Sequence, residues 1–143
     1  MKIKVLFLCV HNSARSQIAE ELLRKKVKDN FEISSAGFEP GVVNPYVVKV
    51  LQEEGIDISL KSTRNVFDLY NQGNFYNYII TVCDESNSQR CPIFPGFNKT
   101  IHWSFEDPSS FKGSEEEILI KTRMIKNQIN NKLDEWIKEI LQD

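Results

Sequence analysis

Near the start of the chain, a cysteine and an arginine are separated by five residues, in the string LFLCVHNSARSQIAEELL at 6–23. Cys9 ends an apolar run and Arg15 stands where a helical pattern begins, so a strand-to-helix turn joins them. The backbone N–H groups and the helix dipole of such a turn favour anions. The same dipoles favour the thiolate of Cys9, which is the nucleophilic form. The pattern therefore predicts nucleophilic attack on a phosphate-like centre.

Several residues in the segment 10–16 suit an oxyanion-binding loop. Arg15 can grip two oxygens of an oxyanion with its two-pronged guanidinium. Ser16 can donate its hydroxyl to the thiolate, and Asn12 can shape the loop because Asn tolerates a left-handed backbone. His11 is expected to face solvent. The predicted loop consists of Val10, His11, Asn12, Ser13, Ala14, Arg15 and Ser16.

Strands and helices that could position this loop alternate along the chain. Apolar runs and helical spacings predict strands at 2–9, 31–37, 76–83 and 99–103, and helices at 16–30, 45–55, 66–72 and 114–141. Ser114 and Glu117 form a capping-box pattern for the last helix. The alternation favours an α/β fold, a doubly wound four-stranded parallel sheet flanked by helices, in one domain spanning 1–143. Sites in such sheets form beyond the carboxyl ends of the strands, where Cys9 and Cys83 both lie.

Composition narrows the possible classes of function. The 143 residues carry a net charge of -2 and no long basic run, so nucleic acid is not an expected partner. No apolar stretch is long enough to span a bilayer, and no leader peptide is evident, so we expect a cytoplasmic protein that does not act at a membrane. The 2 histidines lie far apart, so neither a metal site nor a cofactor is expected.

The sequence resembles a known family. FLCVHNSARSQIAEELL is similar to the active-site loop of the low-molecular-weight phosphotyrosine phosphatase fold, and specifically of its arsenate reductase branch. FEISSAG, NPYVVKVLQEEGIDIS and HWSFEDP resemble further strings of that branch, so the likeness covers nearly the whole chain. It implies that Asp107 lies over the Cys9 pocket as the acid that protonates a departing oxygen. Glu106 is the rival carboxylate.

The resemblance also implies roles for the other two cysteines. In thioredoxin-coupled arsenate reductases, a relay would run from Cys9, which attacks arsenate, to Cys83, which releases arsenite, and then to Cys91. The chain has 3 cysteines, so none is left over, and this favours an arsenate reductase, expected to be a monomer, recycled by thioredoxin. Glutaredoxin stays open as the reductant. The Cys83–Cys91 spacer is one residue longer than that family leads us to expect.

Two other functions remain open. The first is a low-molecular-weight protein tyrosine phosphatase that forms a phospho-enzyme on Cys9, with the other cysteines serving for redox protection or packing. Against it, Ser109 and Ser110 stand where such phosphatases commonly place aromatic residues. The second is a non-catalytic oxyanion sensor on the same fold, against which the intact Cys9, Arg15 and Asp107 argue.

The string KSTRN departs from the family at a position connected with potassium. Some members carry an acidic residue where this chain has Arg64. That acidic residue helps to bind a potassium ion together with residues matching Asn12, Glu20 and Ser35. Arg64 would repel a cation, and we expect it to pair with Glu20 instead.

We therefore predict that the protein has no potassium requirement. Its activity and its melting temperature should be the same in potassium and sodium salts at equal ionic strength. A clear rise of either quantity with potassium would contradict the prediction.

Overall fold

The computed structural model describes residues 2–27, 29–82 and 98–141, and the predicted relay residues Cys83 and Cys91 lie outside these ranges. The strands are β1 (Ile3–Cys9), β2 (Phe31–Gly37), β3 (Tyr78–Thr81) and β4 (Lys99–His102). The helices are α1 (Arg15–Lys26), α2 (Pro45–Gln52), α3 (Val66–Asn71) and α4 (Glu115–Ile140), and a short 3₁₀ turn (Pro108–Ser110) precedes α4. Within the described ranges, no helix combines the length and apolar character needed to cross a bilayer.

These four strands form one parallel sheet in the order β2-β1-β3-β4. The chain moves outward from β1 to β2 and then crosses back to β3 and β4, so the strand order reverses between β1 and β3. This reversal defines a doubly wound sheet, and ligands in such sheets bind beyond the carboxyl ends of the strands at the reversal. The predicted fold class is confirmed. Cys9 is the last residue of β1 and therefore stands at the reversal.

Strand β1 is the centre of the hydrophobic core. Its residues Val5, Leu6, Phe7 and Leu8 are fully buried, as the continuous apolar run predicted for a strand covered on both faces. Burial of each such side chain contributes about 1.5–3 kcal/mol of transfer free energy. Hydrogen bonds to β2 on one side and β3 on the other fix its register. The end of the strand that carries Cys9 is thus rigidly placed.

Helix α4 packs on the sheet through aromatic side chains. The ring of Trp136 meets Tyr78 and Trp103 edge-on, with ring centroids 5.1 and 6.1 Å apart. Ser114 accepts a hydrogen bond from the backbone of Glu117, and the Glu117 carboxylate accepts one from the backbone of Ser114, so the predicted capping box is confirmed. This cap fixes the first turn of α4 just after the segment that carries Asp107.

The ends of several elements differ from the predicted ones. α1 ends at Lys26, before the predicted 29–30, because Val27 takes an extended backbone (φ -116°, ψ 160°). α2 ends at Gln52 and unwinds through a turn to Gly55, whose φ of 78° closes it. β3 begins two residues late, because the side chain of Asn77 accepts a β1 backbone N–H at 2.7 Å.

Gly37 ends β2 beside the loop that follows Cys9. A Cβ at this position would lie 2.7 Å from the backbone nitrogen of Asn12 and 2.8 Å from the carbonyl oxygen of Val10. Backbone atoms cannot rotate away as the end of a flexible side chain can. Glycine is therefore what lets β2 and the loop approach each other so closely.

We expect the variant Gly37→Ala to lose about 1–3 kcal/mol of unfolding free energy in urea titrations, because the added methyl group overpacks the loop. Gly41→Ala is the matched control, since a Cβ there would meet the His11 Cβ at 3.5 Å, an ordinary contact. Equal unfolding midpoints for the two variants would contradict this account of Gly37.

Candidate active site

The segment 39–44 fixes one side of the loop between β1 and α1 through backbone hydrogen bonds. The carbonyl oxygens of Val10, His11 and Ser13 each accept a backbone N–H from that segment, at 2.8, 3.0 and 2.8 Å. Because a trans peptide is planar, the N–H group in each of these peptide planes points to the opposite side. The loop therefore turns several amide donors away from 39–44, in the manner of an oxyanion cradle at the N-terminus of a helix.

Asn12 fixes the shape of this loop. It is fully buried, and its φ of 55° places it in the left-handed region. Its side-chain Nδ2 donates to Ser16 Oγ at 2.7 Å and to Ser35 Oγ at 3.0 Å. Its Oδ1 accepts from the backbone of Arg64 at 2.9 Å and from Gln17 Nε2 at 3.1 Å. All four hydrogen-bonding positions of the amide are thus used.

Gln17 is a positioning residue that the sequence reasoning missed. It is fully buried, and its Nε2 also donates to the backbone oxygen of Asn12 at 3.0 Å. The Gln17 side chain therefore donates to both oxygens of Asn12, the residue with the left-handed backbone. Its only signal in the sequence is a polar residue in the first turn of α1, a helix that apolar spacing predicts.

The Cys9 sulfur lies at the base of the loop, 2.9 Å from Ser16 Oγ, and Cys9 is 2% exposed. Because Ser16 Oγ already accepts a hydrogen bond from Asn12, its own hydrogen is free to point at the sulfur. A hydroxyl donor aimed at sulfur stabilises the thiolate relative to the thiol. The expectation that Ser16 faces Cys9 agrees with this geometry.

Arg15 is buried and points toward the segment before α4. Its Nη1 donates to the backbone oxygen of Phe105 at 3.0 Å, and its Nη2 lies 3.5 Å from Asp107 Oδ2. Its Nε is buried without a partner among the described residues. The guanidinium is therefore held in place on one side and keeps a donor that an oxyanion can use.

The side chains of Asp107 and Glu106 lie in different surroundings. The Asp107 side chain is 34% exposed and lies beside Arg15. Its Oδ1 accepts the backbone N–H of Ser109 at 3.0 Å, which fixes the carboxylate at the start of the 3₁₀ turn. Glu106 instead lines a separate surface cavity of about 340 Å³ against α4. Of the two predicted rivals, Asp107 is the carboxylate that the structure brings to the arginine.

Each of the two histidines places its Nδ1 within hydrogen-bonding distance of a nearby oxygen. His11 is exposed, and its Nδ1 lies 2.7 Å from the backbone oxygen of Glu39. His102 Nδ1 lies 2.6 Å from the hydroxyl of Thr81 on the neighbouring strand. In the part of the chain that the structure describes, no group of three His, Cys, Asp or Glu residues is arranged to hold a metal ion.

The expected pairing of Arg64 with Glu20 is wrong. Glu20 Oε1 accepts Lys61 Nζ at 2.7 Å, and its Oε2 accepts Arg24 Nη2 at 2.7 Å. The backbone of Arg64 is fixed instead, because its N–H bonds to Asn12 and its carbonyl oxygen accepts the N–H of Gly37. With its backbone bonded on both sides, Arg64 leaves its side chain exposed to solvent.

This fold and site define a class of protein in which a Cys-x5-Arg loop, at the end of the first strand of a parallel sheet, presents a thiol to a tetrahedral oxyanion. The model of the low molecular weight phosphotyrosine protein phosphatase family matches residues 4–143. The chain belongs to this family, which confirms the resemblance read from its sequence.

Several relatives of the chain are named arsenate reductases. The chain is 35% identical to the arsenate reductase of Bacillus subtilis (strain 168) over 133 residues, which cover 92% of this chain and 93% of the relative. A solved structure described as an arsenate reductase in oxidized state superposes with a TM-score of 0.77 at 25% identity, covering 98% of this chain and 99% of that chain. The Corynebacterium glutamicum thioredoxin-dependent arsenate reductase superposes at 0.61 with 29% identity, over 93% of this chain and 62% of that chain.

The contact between Ser16 and Cys9 leads to a prediction about thiol reactivity. Ser16→Ala should slow labelling of Cys9 by iodoacetamide at pH 7 about 3- to 10-fold, because the thiolate loses its hydroxyl donor. Ser13→Ala removes another hydroxyl of the same loop that makes no hydrogen bond with Cys9, so it should label at the wild-type rate. Equal slowing in both variants would show that the Ser16 contact does not act on the sulfur.

Proposed function

We propose that this protein is an arsenate reductase that reduces arsenate to arsenite with its own cysteines. The observation that carries the proposal is the buried Cys9 sulfur at the base of a loop closed by Arg15. Support comes from the relatives that are named arsenate reductases over nearly the whole length of the chain. Support also comes from the number of cysteines, since the chain has 3 and the proposed relay uses each of them.

In the first step, the Cys9 thiolate attacks the arsenic of arsenate. The loop amides and the Arg15 guanidinium bind the oxyanion and stabilise the negative charge that develops on its oxygens. Asp107, 3.5 Å from Arg15, gives a proton to the departing oxygen. A sulfur–arsenic bond forms, an arsenic–oxygen bond breaks, and water leaves. Arsenic is still in its pentavalent state.

In the second step, the Cys83 thiolate attacks the sulfur of Cys9. The sulfur–arsenic bond breaks, and its electron pair stays on arsenic, which leaves as trivalent arsenite. A Cys9–Cys83 disulfide forms, so two thiols have supplied the two electrons. Cys91 then attacks Cys83, which frees Cys9 for another cycle and leaves a Cys83–Cys91 disulfide.

An external dithiol must reduce this last disulfide, and we propose thioredoxin. The similarity to a protein described as a thioredoxin-dependent arsenate reductase supports that choice over glutaredoxin. Cysteines that must return to the thiol form fit a reducing compartment, so we propose the cytoplasm as the place of action. Nucleophile, clamp, acid and both relay thiols lie in one chain, so a monomeric single domain over 1–143 suffices.

A phosphatase function is the second candidate. It is favoured by the family itself, because the same loop and the same Asp107 can hydrolyse a phosphate ester through a Cys9 phospho-enzyme. The residues after Asp107 do not favour it. Ser109 and Ser110 form the 3₁₀ turn there, and Ser109 bonds to Asn44 at 3.2 Å, so no aromatic side chain from this turn can hold a phosphotyrosine ring. A weak side activity toward phosphate esters is expected.

The deciding experiment follows NADPH oxidation with thioredoxin and thioredoxin reductase after arsenate is added. The wild type should oxidise NADPH continuously, and Cys83→Ser should not. Cys91→Ser should release about one arsenite per enzyme and stop as a Cys9–Cys83 disulfide detected by mass spectrometry.

Two parallel measurements control this experiment. Cys9→Ser should lose both arsenate turnover and hydrolysis of p-nitrophenyl phosphate, whereas glutaredoxin in place of thioredoxin tests the reductant. Rapid hydrolysis of the phosphate ester with no arsenate turnover would overturn the proposal in favour of a phosphatase. Multiple turnover by Cys91→Ser would contradict the relay.

A further inference from the structure

Asn44, the residue before α2, contacts three different pieces of the active-site region. Its backbone N–H donates to the carbonyl oxygen of Ser13, in the loop between β1 and α1, at 2.8 Å. Its side-chain Oδ1 accepts the backbone N–H groups of Tyr46 and Val47 at 2.8 and 3.4 Å and so caps α2. Its Nδ2 donates to Ser109 Oγ, in the 3₁₀ turn before α4, at 3.2 Å. Asn44 is 8% exposed, so a buried residue joins the loop to the turn.

The helix cap decides which end of the Asn44 amide faces the 3₁₀ turn. A side-chain amide has one acceptor end and one donor end. The first N–H groups of α2 use the acceptor oxygen, and the donor nitrogen is therefore left for Ser109. The secondary structure thus sets the direction of this bond, in which Asn44 donates and Ser109 Oγ accepts.

Ser109 is joined in turn to the carboxylate of Asp107. The backbone N–H of Ser109 donates to Asp107 Oδ1 at 3.0 Å, whereas Asp107 Oδ2 lies 3.5 Å from Arg15 Nη2. One carboxylate oxygen is therefore bonded within the turn, and the other faces the guanidinium. Asn44 contacts the turn from the start of α2, and Arg15 contacts Asp107 from the start of α1.

The contact of Asp107 with Arg15 depends on charge, whereas its bond with Ser109 does not. In the proposed reaction Asp107 is a general acid, and a general acid carries its proton before the transfer. A neutral carboxyl group makes no ion pair with a guanidinium, but its carbonyl oxygen still accepts the backbone N–H of Ser109. Since Oδ1 is that acceptor, the proton lies on Oδ2, on the side of Arg15. Once the ion pair is lost, the position of the acid depends more on the turn.

We propose that Asn44 is a positioning residue for the acid: its side chain holds the turn at Ser109 so that the protonated oxygen of Asp107 faces the departing oxygen. The proton passes from Oδ2 to that oxygen as its bond to arsenic or phosphorus breaks, and Asp107 is left ionised. Among the described residues, the Asn44 side chain makes no hydrogen bond to Cys9 or Arg15, so it acts through the turn. The inference rests on the proposed role of Asp107, which the reductase and the phosphatase candidates share.

The test compares two phosphate esters whose leaving groups need the proton to different degrees. Phenol has a pKa of about 10, as the tyrosine side chain does, so phenolate leaves slowly from phenyl phosphate without a proton. Dinitrophenolate is a much weaker base and leaves readily from dinitrophenyl phosphate without one. The value of kcat/KM is governed by the steps up to loss of the leaving group, so it reports the action of the acid.

Asn44→Ser keeps a good helix cap and removes the amide nitrogen that donates to Ser109. We expect its kcat/KM for phenyl phosphate to fall about 3- to 10-fold, the effect of losing one ordinary hydrogen bond, and its kcat/KM for dinitrophenyl phosphate to change much less. Ser109→Ala removes the acceptor of the same bond and should show the same selective loss. Ser109→Thr keeps the hydroxyl group and should restore the wild-type value for phenyl phosphate.

Asn65→Ser is the matched control for loss of an asparagine cap. Asn65 caps α3 in the same way, because its side-chain oxygen accepts the backbone N–H of Phe67 at 2.8 Å. This variant should leave kcat/KM for both esters unchanged. If Asn44→Ser does not fold, Ser109→Ala carries the comparison, since it leaves the cap of α2 intact.

A double variant tests the route of the effect. Asp107→Asn removes the proton, so Asn44→Ser added to it should not slow hydrolysis of phenyl phosphate further. Further slowing overturns the proposal, and so does a folded Asn44→Ser protein that loses activity equally on both esters or on neither. A wild type that hydrolyses neither ester overturns the shared role of Asp107 and this inference with it. Neither ester requires arsenate, Cys83 or Cys91, so the result is read separately from the test of arsenate reduction.

Discussion

The side-chain amide of Asn12 joins its own loop to three other pieces of this chain. Its four hydrogen bonds reach Ser16 and Gln17 at the start of α1, Ser35 in β2 and the backbone of Arg64. The bonds are possible because the backbone of Asn12 is left-handed, a conformation that few residue types adopt easily. Buried amides left without partners are costly, so the four contacts reinforce one another. Together they give the thiol a loop that is already shaped before any ligand arrives.

The sheet supplies the frame for this arrangement. Parallel pairing of β1 with β2 sets Cys9 opposite Gly37, and it sets Phe7 opposite Ser35. The first pairing lets the loop pass close to β2, since Gly37 has no side chain to block it. The second brings the Ser35 hydroxyl to the level of Asn12 and Glu20. A slip of the register by one residue would move both features out of reach.

Much of the fold and of the candidate site could be predicted from the sequence, because the relevant signals are local. The buried run before Cys9 and the polar turn up to Arg15 identify strand, loop and nucleophile. The partner of Glu20 could not be predicted. Lys61 and Arg64 are three residues apart in one irregular segment, and the choice between them depends on long-range backbone bonds of Arg64 that have no sequence pattern. The end of α1 was predicted too late because Val27 continues the apolar spacing past Lys26, where the helix ends.

The aromatic contacts of α4 give the molecule an optical property of its own. The chain has 2 tryptophans, and both stand in the same edge-on contact, Trp103 directly after β4 and Trp136 on α4. Phe7 of the central strand lies against Trp103 at 6.4 Å between ring centroids. The tryptophan fluorescence of the protein therefore comes from one junction, where the last helix meets the edge of the sheet, and this emission follows the docking of that helix rather than an average over the fold.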